Sequence, residues 1–415
     1  MTVTQTQCAS QGGSYLGNGT LCANANCPLI LEPFVDAMPI PPVAQPVTGQ
    51  VGGAAHYEMA AMEFMHQVHR DLPPTRVWGY EASWPGPTIV ARQGMPVTVT
   101  WMNELRDIDT GLYRTSHVLP VDTCLHGPDV MTNFASIVTH LHGGAVTQES
   151  DGYPEFYFPP GQQAPLYHYP NTQPASLIWY HDHALGITRL NVYMGLAGGY
   201  LLRDSTEESL GLPAGDQEVP LVIQDRSFSP DGSLMYHDMW HDHFFGDFMV
   251  VNGKVMPYMN VKQGKYRFRV VEGCNSRTLT LALSNGASFQ IIGSDTGLLE
   301  APITVTSITL TPGERSDWIV DFSGYPAGTE IVLTNSAPSP FPGTPGVGVL
   351  PNVMKFIVQG QAGSNPTIPS SLVDIDFMLE ADAVIERTQE LRKMPDIHCP
   401  SHTDGMWTID GLTWE

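Results

Sequence analysis

Two His-x-His pairs, His140-Leu141-His142 and His181-Asp182-His183, are the residues of this 415-residue chain best placed to do chemistry. Each lies in an apolar, strand-like run, and along a strand residues two apart point to the same face. Two such strands side by side gather four imidazoles, which is a metal site. Imidazole ligates copper, zinc, iron and nickel, so the residue types leave the metal open. Asp182, between two candidate ligands, faces away from them by the same alternation.

Other groupings compete for the same chemistry. His241-Asp242-His243, with His237 before it, repeats the His-Asp-His letters ahead of FFGDFMVVNGK and is expected to be a surface site at most. His398-Cys399-Pro400-Ser401-His402, with Met406 four residues on, holds the ligand types of a blue copper centre. Met59, Met62 and Met65 recur at threes and could offer thioethers to copper(I), but packing within a strand is the expected role. The glycines of HGG and GLAGG lack phosphate-loop spacing and read as sites of close backbone packing.

The elements that must position these side chains are short. Forty glycines and 35 prolines punctuate Val/Thr/Ile/Tyr-rich runs, which predicts an all-β protein. Residues 1–27 form a Cys-bearing segment and 28–55 a Pro-rich, extended arm. From 56 to 205, runs such as PTIVA, PVTVTWMNEL, SIVTHLHGG and SLIWYHDH predict a first β-sandwich. From 218 to 360, VPLVIQDRSF, KYRFRVVEG, LTLALS and DWIVDF predict a second. A linker, 361–405, carries one segment of helical composition, DAVIERTQELRKM, and residues 406–415 open a new strand pattern.

Composition narrows the partners. With 42% apolar residues and no apolar run of membrane-spanning length, the reading is a water-soluble globular protein. Nineteen basic against 42 acidic residues, a formal charge of −23, argue against nucleic acid or an anionic membrane as partner. Cys8, Cys22 and Cys27 crowd the first thirty residues as part of a disulfide-stapled module, which favours a secreted, periplasmic or cell-surface setting. No secretory leader precedes Cys8. Cys124, Cys274 and Cys399 are scattered, and Cys399 reads as a free thiol in an interdomain loop. Oligomeric state is not legible.

The flanks of the histidine pairs carry a resemblance. THLHGGAVTQESDGYPEFYFPPGQ and YHYPNTQPASLIWYHDHALGITRLNVYMGLAGGYLLRD resemble the first copper-binding region of the multicopper oxidases, especially the spore-coat laccase and bilirubin-oxidase branch. The likeness runs upstream through RVWGYEASWPGPTIVARQGMPVTVTWMNEL and downstream to TPGERSDWIVDF, roughly residues 56–360. It implies tandem cupredoxin-like Greek-key sandwiches, two complete and the start of a third, and a copper oxidase coupling one-electron oxidation of phenols, aromatic amines, bilirubin-like pigments or metal ions to reduction of dioxygen to water. It assigns His140 to a type 2 copper and His142, His181 and His183 to a type 3 pair. It also places Asp151 where the family keeps a carboxylate for proton delivery; Asp151 is equally a turn former ahead of Gly152.

The family's type 1 motif, His-Cys-His with another His four residues later, does not occur, and HCPSHTDGM has the wrong spacing for it. The expectation is a chain cut short of its third domain, carrying half of a trinuclear site and inactive alone. Other readings stay open: a copper-binding protein without catalysis, a two-domain oxidase completed by another subunit, and a zinc hydrolase, which would want a nearby carboxylate as base.

Overall fold

The computed structural model describes residues 29–396 and 398–413, and they form two β-sandwiches followed by a two-stranded hairpin. The Cys8/Cys22/Cys27 segment lies outside the described residues. No described helix is long and apolar enough to cross a membrane.

In the first sandwich one sheet is built on Ala55–His66, which pairs in parallel with Val97–Asn103 and antiparallel with Thr75–Tyr80. Alternation decides its faces: in Val97–Asn103 every second residue is buried. The other sheet runs in the order Gly86–Arg92, Ala197–Arg203, Ser176–Asp182, Thr139–His142. Tyr57, Trp78, Trp101, Leu141, Tyr180 and Tyr200 fill the space between the sheets. Ser176–Asp182 is buried at every position, because one face joins this core and the other meets the second sandwich. Across that junction Leu177, Trp179, Ala197 and Leu201 pack on Val222 and Val271.

The second sandwich pairs an eight-stranded with a five-stranded sheet around Leu221, Phe268, Trp318, Val320 and Phe356. Its central strands are Glu218–Phe228, Lys265–Glu272 and Arg315–Asp321. The arm ahead of the first sandwich straps both units: Phe34 and Met38 donate to the carbonyls of Met256 and Tyr258, and Ala44 donates to that of Thr88.

The structure corrects two expectations and sorts a third. DAVIERTQELRKM is not a helix: Glu380–Asp382 is a single 3-10 turn and Leu391–Met394 is a strand, antiparallel to Met406–Ile409. An isolated helix of that length is marginal in water, and Val384 and Ile385, 94% and 64% exposed, find no core to pack on. The strand's backbone instead finds a partner. Cys399 is not a free thiol, because it is bonded to Cys124. In Ala55–His66 Met59 is buried in the core, Met62 is exposed on the opposite face and Met65 is exposed six residues along the strand, so they make no thioether cluster.

Candidate metal centre

Pairing register assembles the histidines. In the antiparallel pair Thr139–His142 and Ser176–Asp182, His140 lies opposite His181 and His142 opposite Trp179, so three imidazoles and an indole leave one face of the sheet. The opposite face carries Leu141 and Tyr180 into the core. His183 continues the parity one residue beyond its strand, and its N–H donates to the Val138 carbonyl at 2.7 Å.

One ring nitrogen from each of His140, His142 and His181 lies within 4.8 Å of the others. The His183 ring centre is 5.1 Å from that of His140 and 5.7 Å from that of His181. Second nitrogens are fixed by carbonyls: His140 Nδ1 donates to Asp151 O at 2.6 Å, and His181 Nδ1 to Asp182 O at 2.7 Å. In the neutral rings this leaves the Nε2 lone pairs free to ligate. His142 Nδ1 and His181 Nε2 stand 3.2 Å apart. His183 Nδ1 is buried without a hydrogen-bond partner, a position that a metal ion would satisfy. The donor set fits an imidazole-seeking transition metal such as copper.

Electrostatics favour the ligating form. Burial first, then the Arg315 guanidinium and the neighbouring rings, holds the His142 ring down to about 4. Burial carries His181 well below the ordinary histidine range and lowers His183. A neutral imidazole offers the lone pair that an imidazolium lacks. The indole of Trp179 covers the group, its ring centre 4.3 Å from that of His181 and 5.3 Å from that of His142.

Asp182 points away from the rings, as alternation requires. Its carboxylate accepts from Val138 N at 2.9 Å, Ala184 N at 3.0 Å and Asn191 Nδ2 at 2.8 Å, binding together the chain ends that carry His140 and His183. Burial pushes this carboxyl up to about 7 against those three donors. Asn191 extends the network: its Oδ1 faces His117 Nε2 at 3.1 Å and its amide donates to Ser136 O.

Asp151 sits at the rim. Its carbonyl takes the His140 proton, its carboxylate Oδ1 is 3.3 Å from the same ring nitrogen, and burial raises its pKa. Gly152 makes this approach feasible: at φ +77° it places the loop so close that a Cβ would lie 2.1 Å from Thr139 O. The second sandwich closes the other side, where Gly313 lies against the His142 ring and Arg315 against Gly143.

Asn191, Trp179, Arg315 and Gly313 were not singled out in the sequence. An Asn inside a short helix and an Arg in a distant strand carry no spacing signal; only Trp179, at even separation from His181, could have been found by extending the strand parity.

The remaining histidine groups do not form a comparable site. His237 and His241 have ring centres 5.0 Å apart, but His241 Nδ1 faces Asp404 at 3.2 Å and His243 stacks on Phe245. Cys124, Cys399 and His402 lie together, yet both sulfurs are spent on the disulfide and both His402 nitrogens face carboxylates. A cavity of about 760 Å³ opens beside that disulfide, lined by Leu125, Leu185, Arg189, Trp240, Met406 and Trp407 among others. None of the four clustered histidines lines it.

Two multicopper oxidase family models match the chain, over residues 130–207 and 232–344. It is 44% identical to a laccase of Bacillus subtilis over 330 residues, 74% of this chain and 62% of that protein. It is 36% identical to a multicopper oxidase of Oryza sativa subsp. japonica over 388 residues, 86% of this chain and 64% of that protein. Against both, it spans less than two thirds of the relative's length. Among solved structures, a multi-copper oxidase of Pediococcus acidilactici superposes with a TM-score of 0.73 at 28% identity, over 94% of this chain and 72% of that one. McoA of Aquifex aeolicus superposes with a TM-score of 0.72 at 26% identity, over 93% and 75%.

Proposed function

Because this chain belongs to the multicopper oxidase family, on its laccase-like side, we propose that His140, His142, His181 and His183 are its share of a copper cluster at which dioxygen is reduced. The observation that carries the proposal is the convergence of these rings from paired strands, with two second nitrogens taken by carbonyls and His183 Nδ1 left orphaned. His140 would serve a type 2 copper and the other three a type 3 pair. When bound, the copper supplies the four-electron reduction of dioxygen to water, driven by one-electron oxidation of a small reductant.

The chain's own residues hold and protect that chemistry. Backbone carbonyls of Asp151 and Asp182 orient two rings, Trp179 and Gly313 exclude water from the His142 side, and burial keeps the His142, His181 and His183 rings unprotonated. Asp151 is the proposed proton relay: reduction of dioxygen consumes protons, and this half-exposed carboxylate joins the His140 edge to solvent. Phenols, aromatic amines, bilirubin-like pigments or metal ions are the proposed reductants of the whole protein.

No His-Cys-His segment occurs in these 415 residues, and we assign the type 1 centre to the part of the relatives' length that the chain does not span.

Titration with Cu²⁺, followed by calorimetry and electron paramagnetic resonance, tests the ligand assignment. His140→Ala and His181→Ala are each expected to weaken binding at least tenfold. Isotherms unchanged in both would overturn it. Oxygen uptake by the whole protein with a phenolic reductant tests the reaction, and its absence in copper-loaded protein would favour copper binding without catalysis.

A further inference from the structure

Cys124 and Cys399 stand 275 residues apart in sequence, with Cys124 exposed and Cys399 buried. Their bond ties a loop of the first sandwich to the turn inside the terminal hairpin, Leu391–Met394 with Met406–Ile409. Beside it lies one imidazole: His402 Nδ1 is 2.9 Å from Asp396 and its Nε2 is 2.7 Å from Asp122. The ring thus bridges the two carboxylates. Asp122 also accepts from Cys124 N at 3.0 Å and from Trp240 N at 2.7 Å. Asp396 accepts from the N–H groups of His398 and Cys399. The first sandwich, the Trp240 loop of the second and the hairpin turn therefore meet at one disulfide and one histidine.

Among the described residues the strands of the hairpin bury little apolar surface. Leu391, Trp407 and Ile409 are 69%, 60% and 48% exposed. Among the described residues its further ties include Lys393 with Asp242, Asp404 with His241 and the Asp242 N–H, and the His402 ring 5.9 Å from that of Trp240. An element with so few buried apolar contacts opens at low cost once its covalent tie is cut.

We propose that Cys124–Cys399 is a redox latch, and that its reduction by a dithiol releases the 391–409 hairpin while both sandwiches stay folded. A thiolate of the dithiol attacks the exposed Cys124 sulfur; the Cys124–Cys399 bond breaks, a mixed disulfide forms on Cys124, and Cys399 leaves as a thiolate. The second thiol resolves the mixed disulfide. The protein gains two electrons and two protons, and the dithiol becomes a cyclic disulfide. Released, the hairpin takes with it the Met406 and Trp407 wall of the cavity beside the bond.

The test is peptide-resolved alkylation in graded dithiothreitol buffers, with hydrogen–deuterium exchange on the same samples. Reduction of Cys124–Cys399 is expected to speed exchange at 391–394 and 406–409 at least tenfold and to leave 176–182 unchanged. Cys124→Ser and Cys399→Ser should reproduce this without reductant, and the reduced wild-type protein answers the question if either variant fails to fold. Equal hairpin protection in oxidised and reduced protein would overturn the latch. So would loss of protection in the sandwich strands on reduction, or alkylation of both cysteines without reductant.

Discussion

His117 illustrates how a buried side chain ties the site to pH. Leu119 N donates to its Nδ1 at 2.8 Å and its Nε2 faces Asn191 Oδ1, so the ring is used in its neutral form. Burial holds its pKa down to about 3. As pH falls below 6.5 the unfolded chain takes a proton there that the folded chain refuses, so stability present above that pH is lost progressively toward pH 3. At pH 4.5 the loss is about 3 kcal/mol. His117→Gln, which keeps a donor and an acceptor, should flatten that fall. Urea midpoints at pH 7.5 and 4.5 measure it, and a variant that loses as much stability as the parent would remove His117 as the cause.

Among the elements, the turn that carries Asp151 and the strand that carries His140 are joined through a glycine. Gly152→Ala places a Cβ against Thr139 O and His140 Cα in a left-handed conformation, a strain of about 1–3 kcal/mol. The turn must move, and the Asp151 carbonyl with it. Expected outcomes are a lower melting temperature and weaker Cu²⁺ binding in the same titration; wild-type binding would mean that the His140 ring is oriented without that carbonyl. The strand pair itself was legible in the sequence, because parity in THLH and WYHDH needs no tertiary information. Of the terminal hairpin, only the strand at Met406–Ile409 was. DAVIERTQELRKM has helical composition, and only the presence of a strand partner in Met406–Ile409 decides otherwise.

At the scale of the molecule, the two sandwiches are locked by buried charge as well as by apolar contact. Arg203 at the end of the first unit reaches Glu218 at 2.7 Å, Arg267 reaches Glu207 at 2.7 Å and Asp317 at 2.6 Å, and Arg269 reaches Glu207 at 2.8 Å. Three cations against three anions balance, so removing one leaves a buried charge uncompensated. Arg269→Met should cost about 3–5 kcal/mol by denaturant unfolding. Recovery of that stability in the double variant Arg269→Met/Glu207→Gln would identify the uncompensated carboxylate as the source of the loss. The same junction brings Arg315 and Gly313 against the histidine strand. Its rigidity thus bears on the metal centre.

The features legible in the chain alone are local or periodic. Alternation set the strands and the shared face of His140 and His142; glycine and proline punctuation set an all-β chain; and the long flanks pointed to the family. The features that needed the fold depend on residues far apart in sequence. The opposition of His140 and His181 is a matter of pairing register, and the orphaned His183 nitrogen depends on what surrounds it. The bond between Cys124 and Cys399 requires two loops of different units to come within reach. Periodicity reports which way a side chain points, whereas packing alone reports what it meets there.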